Sequence, residues 1–121
     1  MIKTTMGKVI GAYVALSRVR NKVKGRTALD LFLLKNALQP SVDFASEEDQ
    51  KLVVEHGGAV TQAGMVIIAD KGKRAEFQKA RDELNNMDCE IDTDPVCVDL
   101  EKNPDITMED IEQLTGFVEF V

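Results

Sequence analysis

Apolar residues fall at Val9, Tyr13, Leu16, Val19 and Val23, three or four positions apart. That spacing repeats one face of an α-helix, so the pattern predicts a first helix capped by Thr4 or Thr5. Gly7, Gly11 and Ala15 recur every fourth residue and give the helix a second, small-residue face. Gly25 closes the pattern, as a glycine just past a helix end does. Thr27 is the expected cap of a second helix, with Leu29, Phe32, Leu33, Ala37 and Leu38 as its apolar stripe. Pro40 lacks an amide hydrogen and crowds the preceding turn, so the helix should kink there. Val42, Phe44, Leu52 and Val53 sustain the period as far as Gly57-Gly58. The reading is a helix over 27–38, a kink, and a continuation to about His56. Two separate helices, the second capped by Ser46, form the alternative.

The period then changes. "AVTQAGMVIIAD" reads as a β segment turning at Ala63-Gly64. Asp70 is placed to cap a third helix, Lys71 to Met87, with Phe77, Ala80, Leu84 and Met87 on its core side. "CEID" and "VCVDL" flank "TDP" and predict two short strands joined by a turn. Thr107 followed by Asp110 spells a capping box for a short helix ending near Thr115. Gly116 stops it, and "FVEFV" follows as a strand or docked tail. The fold class expected is α+β and mainly helical, in one domain over residues 1–121. It has two N-terminal helices, the second long and kinked at Pro40, then a third helix and a small antiparallel sheet.

Composition narrows the function classes. Five Phe, one Tyr and no Trp leave little for a base-stacking platform. The longest apolar run, "VIGAYVAL", is too short to span a bilayer, and no secretory leader pattern opens the chain. Two cysteines, Cys89 and Cys97, do not make a disulfide framework. A cytoplasmic protein with reduced thiols is expected.

Charge changes the picture more. The net charge is −6, yet five of the 15 Lys and Arg sit in nine consecutive residues: Arg18, Arg20, Lys22, Lys24 and Arg26. Residues 1–29 carry seven basic side chains and no acidic one; residues 82–121 carry thirteen acidic side chains and one basic one, Lys102. Such asymmetry points to an anion site at one end, attraction between the ends, or both. Alternation also fits a strand, but the apolar period running on from Val9 favours a helix. Arg18 and Lys22 then share one face and Arg20 and Lys24 the next, with Lys24 and Arg26 in or near the following loop.

Other candidate chemistry is thin. His56, the only histidine, stands where a helix should end and has no apparent partner for general-base work. Neither cysteine has a basic neighbour in sequence to lower its pKa. They are expected to be two buried small hydrophobes, or to face each other across a hairpin. "DCEIDTD" alternates carboxylates but lacks the Gly and Glu positions of a calcium loop, so no metal is assigned. No glycine-rich phosphate loop is present, and no cofactor is expected.

"ALSRVRNKVKGRTALDLFLLKN" resembles the opening of a family of small uncharacterised phage and prophage proteins of Gram-positive bacteria. The resemblance runs through the Lys35-Asn36 pair, the helix "EFQKARDELNNM" and the acidic C-terminal section. That family is a domain of unknown function. The resemblance implies a phage genome, a bacterial host cytoplasm and an accessory role.

The expected function is therefore a non-enzymatic binding protein that sequesters a small phosphorylated ligand, such as a signalling nucleotide, at Arg18, Arg20, Lys22, Lys24 and Arg26. In the phage setting it would counter host defence. Long nucleic acid is disfavoured by the net charge. A homo-oligomer is expected, because a helical hairpin leaves apolar stripes needing a partner. The alternatives are an inhibitor or adaptor that docks a host protein through the acidic C-terminal section, and a virion assembly factor.

Overall fold

The computed structural model describes residues 1–121. The chain opens with a strand, β1 (Ile2–Thr5), and turns directly into helix α1 (Met6–Val19). Thr5 is the N-cap by position, but its side chain makes no capping hydrogen bond. Met6, Val9, Ala12, Ala15, Leu16 and Val19 are buried along α1, so the core face and the small-residue face merge. A Cβ on Gly7 would lie 3.2 Å from the Asn85 carbonyl oxygen, which explains the glycine at that close approach.

Helix α1 ends at Val19 rather than near Gly25. The amide of Lys22 donates to the Val19 carbonyl at 2.8 Å, and Val23 enters the core from the connection instead of from the helix. Gly25, at φ 60°, opens helix α2 (Gly25–Glu55) instead of closing α1, and Lys24 rather than Thr27 is its N-cap. Helix α2 runs through Pro40 without a break. Pro40 and Asn36 both lie on the exposed side, so the Asn36 carbonyl that Pro40 leaves without its helical donor faces water. The helix stops at a Schellman turn. Gly57, at φ 68°, and Gly58 donate to the Val54 and Val53 carbonyls at 3.1 and 2.8 Å.

The expected stripe of α2 is only partly right. Leu31, Leu34, Leu38, Ala45 and Val53 are buried, whereas Leu29, Phe32 and Leu33 are 45, 57 and 53% exposed. The segment "ALDLFLLKNAL" carries apolar residues on two faces, and only one of them meets α1 and the strands behind it. Burying a leucine side chain such as Leu34 or Leu38 contributes about 2 kcal/mol.

A short ribbon follows: β2 (Ala59–Val60) pairs antiparallel with β3 (Val66–Ile67). Asp70 accepts from the Lys73 amide at 3.0 Å and caps α3 (Lys71–Asn85), as its sequence position predicts. The helix ends two residues early, leaving Met87 exposed while its carbonyl accepts from the Met6 amide. Strands β4 (Asp88–Ile91) and β5 (Val96–Val98) do not form a hairpin. β4 pairs antiparallel with β1, setting Ile2 opposite Ile91, and β5 pairs in parallel with β6 (Val118–Phe120). Each strand joins a partner that helps bury its apolar residues: Ile2 faces Ile91, and β5 and β6 bury Val98 and Val118, which stand opposite Phe120 and Val96. Helix α4 (Met108–Gln113) lies in the crossover that two parallel strands require.

The molecule is thus α+β and mainly helical, with three two-stranded sheets, two antiparallel and one parallel. Its main core joins α1, α2, β1, β4 and the C-terminal unit; Val53, Ile68 and Phe77 form a smaller one.

Candidate functional site

The basic run does not converge on one site. Arg18 and Lys22 are held by α4. Lys22 Nζ donates to Asp110 Oδ2 at 2.6 Å, and Arg18 Nη2 donates to Asp110 Oδ1 at 3.2 Å and to Gln113 Oε1 at 2.6 Å. Glu109 adds a longer contact to Arg18 at 3.9 Å. Asp110 is 1% exposed. It also closes the capping box, accepting from the Thr107 amide at 3.1 Å. Burial pushes its carboxyl up. The Lys22 ammonium, Thr107 and Arg18 outweigh that and hold it at about 2. These two cations therefore hold the acidic C-terminal section against α1, with no guest between.

Arg26 pairs with Asp30 on its own helix at 2.9 Å. Lys24 is exposed in the connection. None of the chain's salt bridges involves Arg20 or Lys24. The five side chains expected to share one ligand site are thus divided: Arg18 and Lys22 on Asp110, Arg26 on Asp30, Lys24 exposed and Arg20 elsewhere. The early end of α1 moves Lys22 off its last turn, and the α4 carboxylate claims Arg18 and Lys22.

Arg20 borders a different feature, a cleft of about 410 Å³ between α1 and the first half of α2. Tyr13 and Leu16 of α1 and Arg20, just past its end, supply one side; Phe32, Lys35 and Gln39 of α2 supply the other. Tyr13 Oη donates to Gln39 Oε1 at 2.7 Å, and Gln39 Nε2 donates to Asp43 at 2.8 Å. The Lys35 ammonium lies 5.0 Å from the centre of the Tyr13 ring, within cation–π range. The lining contains two cations and no carboxylate, in a protein whose net charge is −6. Its remaining walls are largely apolar, Leu29 and Val23 among them. The volume falls in the range of about 300–1,000 Å³ typical of small-molecule sites.

Lys35 and Tyr13 were legible only as a basic residue beside Asn36 and as a stripe position. The signal that joins them is shared spacing: Lys35 and Gln39 lie one turn apart, as do Tyr13 and Leu16.

The remaining candidates have structural partners. His56 ends α2. Its Nδ1 is 2.7 Å from the Leu52 carbonyl, so that nitrogen carries the proton, and its ring meets Phe77 edge-on at 5.8 Å. Cys89 is half-buried with its thiol 3.6 Å from Ser41 Oγ, and Cys97 is exposed. The two stand in different sheets, so they are neither a buried pair nor opposite each other in a hairpin. Asp94 meets the N-terminal ammonium at 3.1 Å. No helix is long and apolar enough to cross a membrane.

The chain matches no protein-family model, no curated protein and no solved structure.

Proposed function

We propose that this is a non-enzymatic binding protein for a small phosphorylated ligand that carries a ring or other apolar group, and that the α1–α2 cleft is its site. One observation carries the reading: an acidic protein has a cleft lined by Arg20 and Lys35 and by no carboxylate. A phosphate bound there receives charge-assisted donors from Arg20 and Lys35. Phe32 and Leu29 offer the other end of the ligand an apolar wall. A nucleotide has both ends. Extended nucleic acid is disfavoured by the net charge of −6 and the acidic C-terminal section. The resemblance at the N-terminal helices supports a phage setting in a bacterial cytoplasm, where sequestering a signalling nucleotide would blunt host defence.

Calorimetry against nucleoside monophosphates and cyclic mono- and dinucleotides, with inorganic phosphate as control, tests the site. At least one nucleotide should bind and phosphate alone should bind far more weakly. Arg20→Ala and Lys35→Ala should each weaken binding about tenfold or more, the loss of one charged hydrogen bond. Silence across the panel, or binding indifferent to both substitutions, would sink the reading.

A further inference from the structure

We infer that the outward face of α2 is a self-association surface on which a second copy of this chain packs antiparallel about a two-fold axis beside Asn36. Leu29, Phe32, Leu33 and Phe44 are 45, 57, 53 and 44% exposed, and the exposed Asn36 and Pro40 fill the gap between them. Together they form an apolar band about 22 Å long at the helical rise of about 1.5 Å per residue. It lies opposite the buried Leu31, Leu34 and Leu38. A solvated helix normally shows its charged side there.

The charges say what covers the band. Its N-terminal end carries Lys24 and Arg26, the latter paired with Asp30, and its C-terminal end carries Glu47 and Glu48, the latter paired with Lys51, which leaves one positive charge in balance at the first end and one negative at the second. A parallel partner would set like charges together at both ends. An antiparallel copy sets the basic end of each helix against the acidic end of the other. One axis satisfies the apolar and charged positions at once: Leu29 comes level with the partner's Phe44, Leu33 with the partner's Pro40, and Arg26 with the partner's Glu47. Asp30 and Asp43 also fall at one level. They stand about 140° apart around the helix, on opposite flanks of the band, so they do not meet. Asn36 sits at the axis in both copies. A single buried polar position fixes register in coiled-coil dimers, and Asn36 is placed to do the same here. The contact is isologous and closes at two copies.

The band also borders the cleft, since Leu29, Phe32 and Asn36 belong to both. A second copy would extend the cleft's outer wall. That consequence rests on the ligand reading; the dimer does not.

Sedimentation velocity and light scattering across micromolar concentrations provide the test. The wild-type chain should reach twice the 13.4 kDa of one copy. Leu33 lies outside the cleft lining. Leu33→Glu should weaken dimerisation roughly thirtyfold, the loss of a central apolar anchor. Arg26→Glu and Glu47→Arg should each weaken it, and the double reversal should restore it. Both reversals are at exposed residues; Arg26→Glu also breaks the pair with Asp30, a loss that the double reversal keeps, so recovery of the dimer in the double variant reports the contact between copies even if Leu33→Glu fails to fold. A monomer at every concentration, a dimer indifferent to Leu33→Glu, growth beyond two copies, or failure of the double reversal would each overturn the inference. Arg20→Ala should leave the dimer mass unchanged while altering nucleotide binding, so the two proposals fail separately.

Discussion

Replacing Asp110 by asparagine removes one charge and almost no volume. The asparagine oxygen still accepts from the Thr107 amide, so the helix cap survives. What is lost is the carboxylate between Lys22 at 2.6 Å and Arg18 at 3.2 Å. That carboxyl ionises at about 2 in the folded protein against 3.8 for a free aspartate. At about 1.4 kcal/mol for each tenfold change in proton affinity, the ionised form contributes about 2 kcal/mol of stability. Asp110→Asn should therefore cost about 2 kcal/mol at neutral pH, measured by urea unfolding. The pH dependence has a definite sign. A carboxyl whose folded pKa is depressed stabilises fully above its unfolded value and loses that contribution as pH falls through the folded one. From pH 5 to pH 2 the wild type should lose most of its advantage over Asp110→Asn, and the two unfolding curves should approach each other. A gap below about 0.5 kcal/mol at pH 7, the level of an exposed pair, would refute the argument. So would a gap that stays constant down to pH 2, since another cause would then be responsible.

Two further predictions concern glycines and thiols. Gly11 lies inside α1 with nothing within 4 Å of where a Cβ would stand, so Gly11→Ala should raise stability by about 0.5–1 kcal/mol; Gly7→Ala, 3.2 Å from the Asn85 oxygen, should not, and thermal melts compare the two. Exposed Cys97 should react with a maleimide faster than half-buried Cys89, and oxidation should not join the two within one chain, as mass spectrometry of the labelled and oxidised chain will report.

The features legible in the sequence are those whose physics is local. Asp70 at its helix start, the Thr107–Asp110 box and the Gly57-Gly58 stop each act within a few residues, and each stands where the sequence puts it. The extent of α2 to about His56 was legible for the same reason. Strand partners were not, because a strand's own residues do not name the edge it will join: "CEID" goes to β1 and "VCV" to β6. Nor was the buried side of α2, since Leu29, Phe32 and Leu33 make as good a stripe as Leu31, Leu34 and Leu38. The basic run was visible, but its division was not. Asp110 takes Arg18 and Lys22 from 92 and 88 positions away, and only the folded chain reveals that Arg20 is left to the cleft.

The pairing of β1 with β4 has a consequence for how the molecule is made. The strand that precedes α1 finds its partner only when residues 88–91 exist, and α1 receives α4 later still. A ribosome delivers the helical hairpin first, with Leu31, Leu34, Leu38 and the inner side of α1 still uncapped by the rest of the core. Such distant pairings slow closure, and the complete core can form only after most of the chain has emerged.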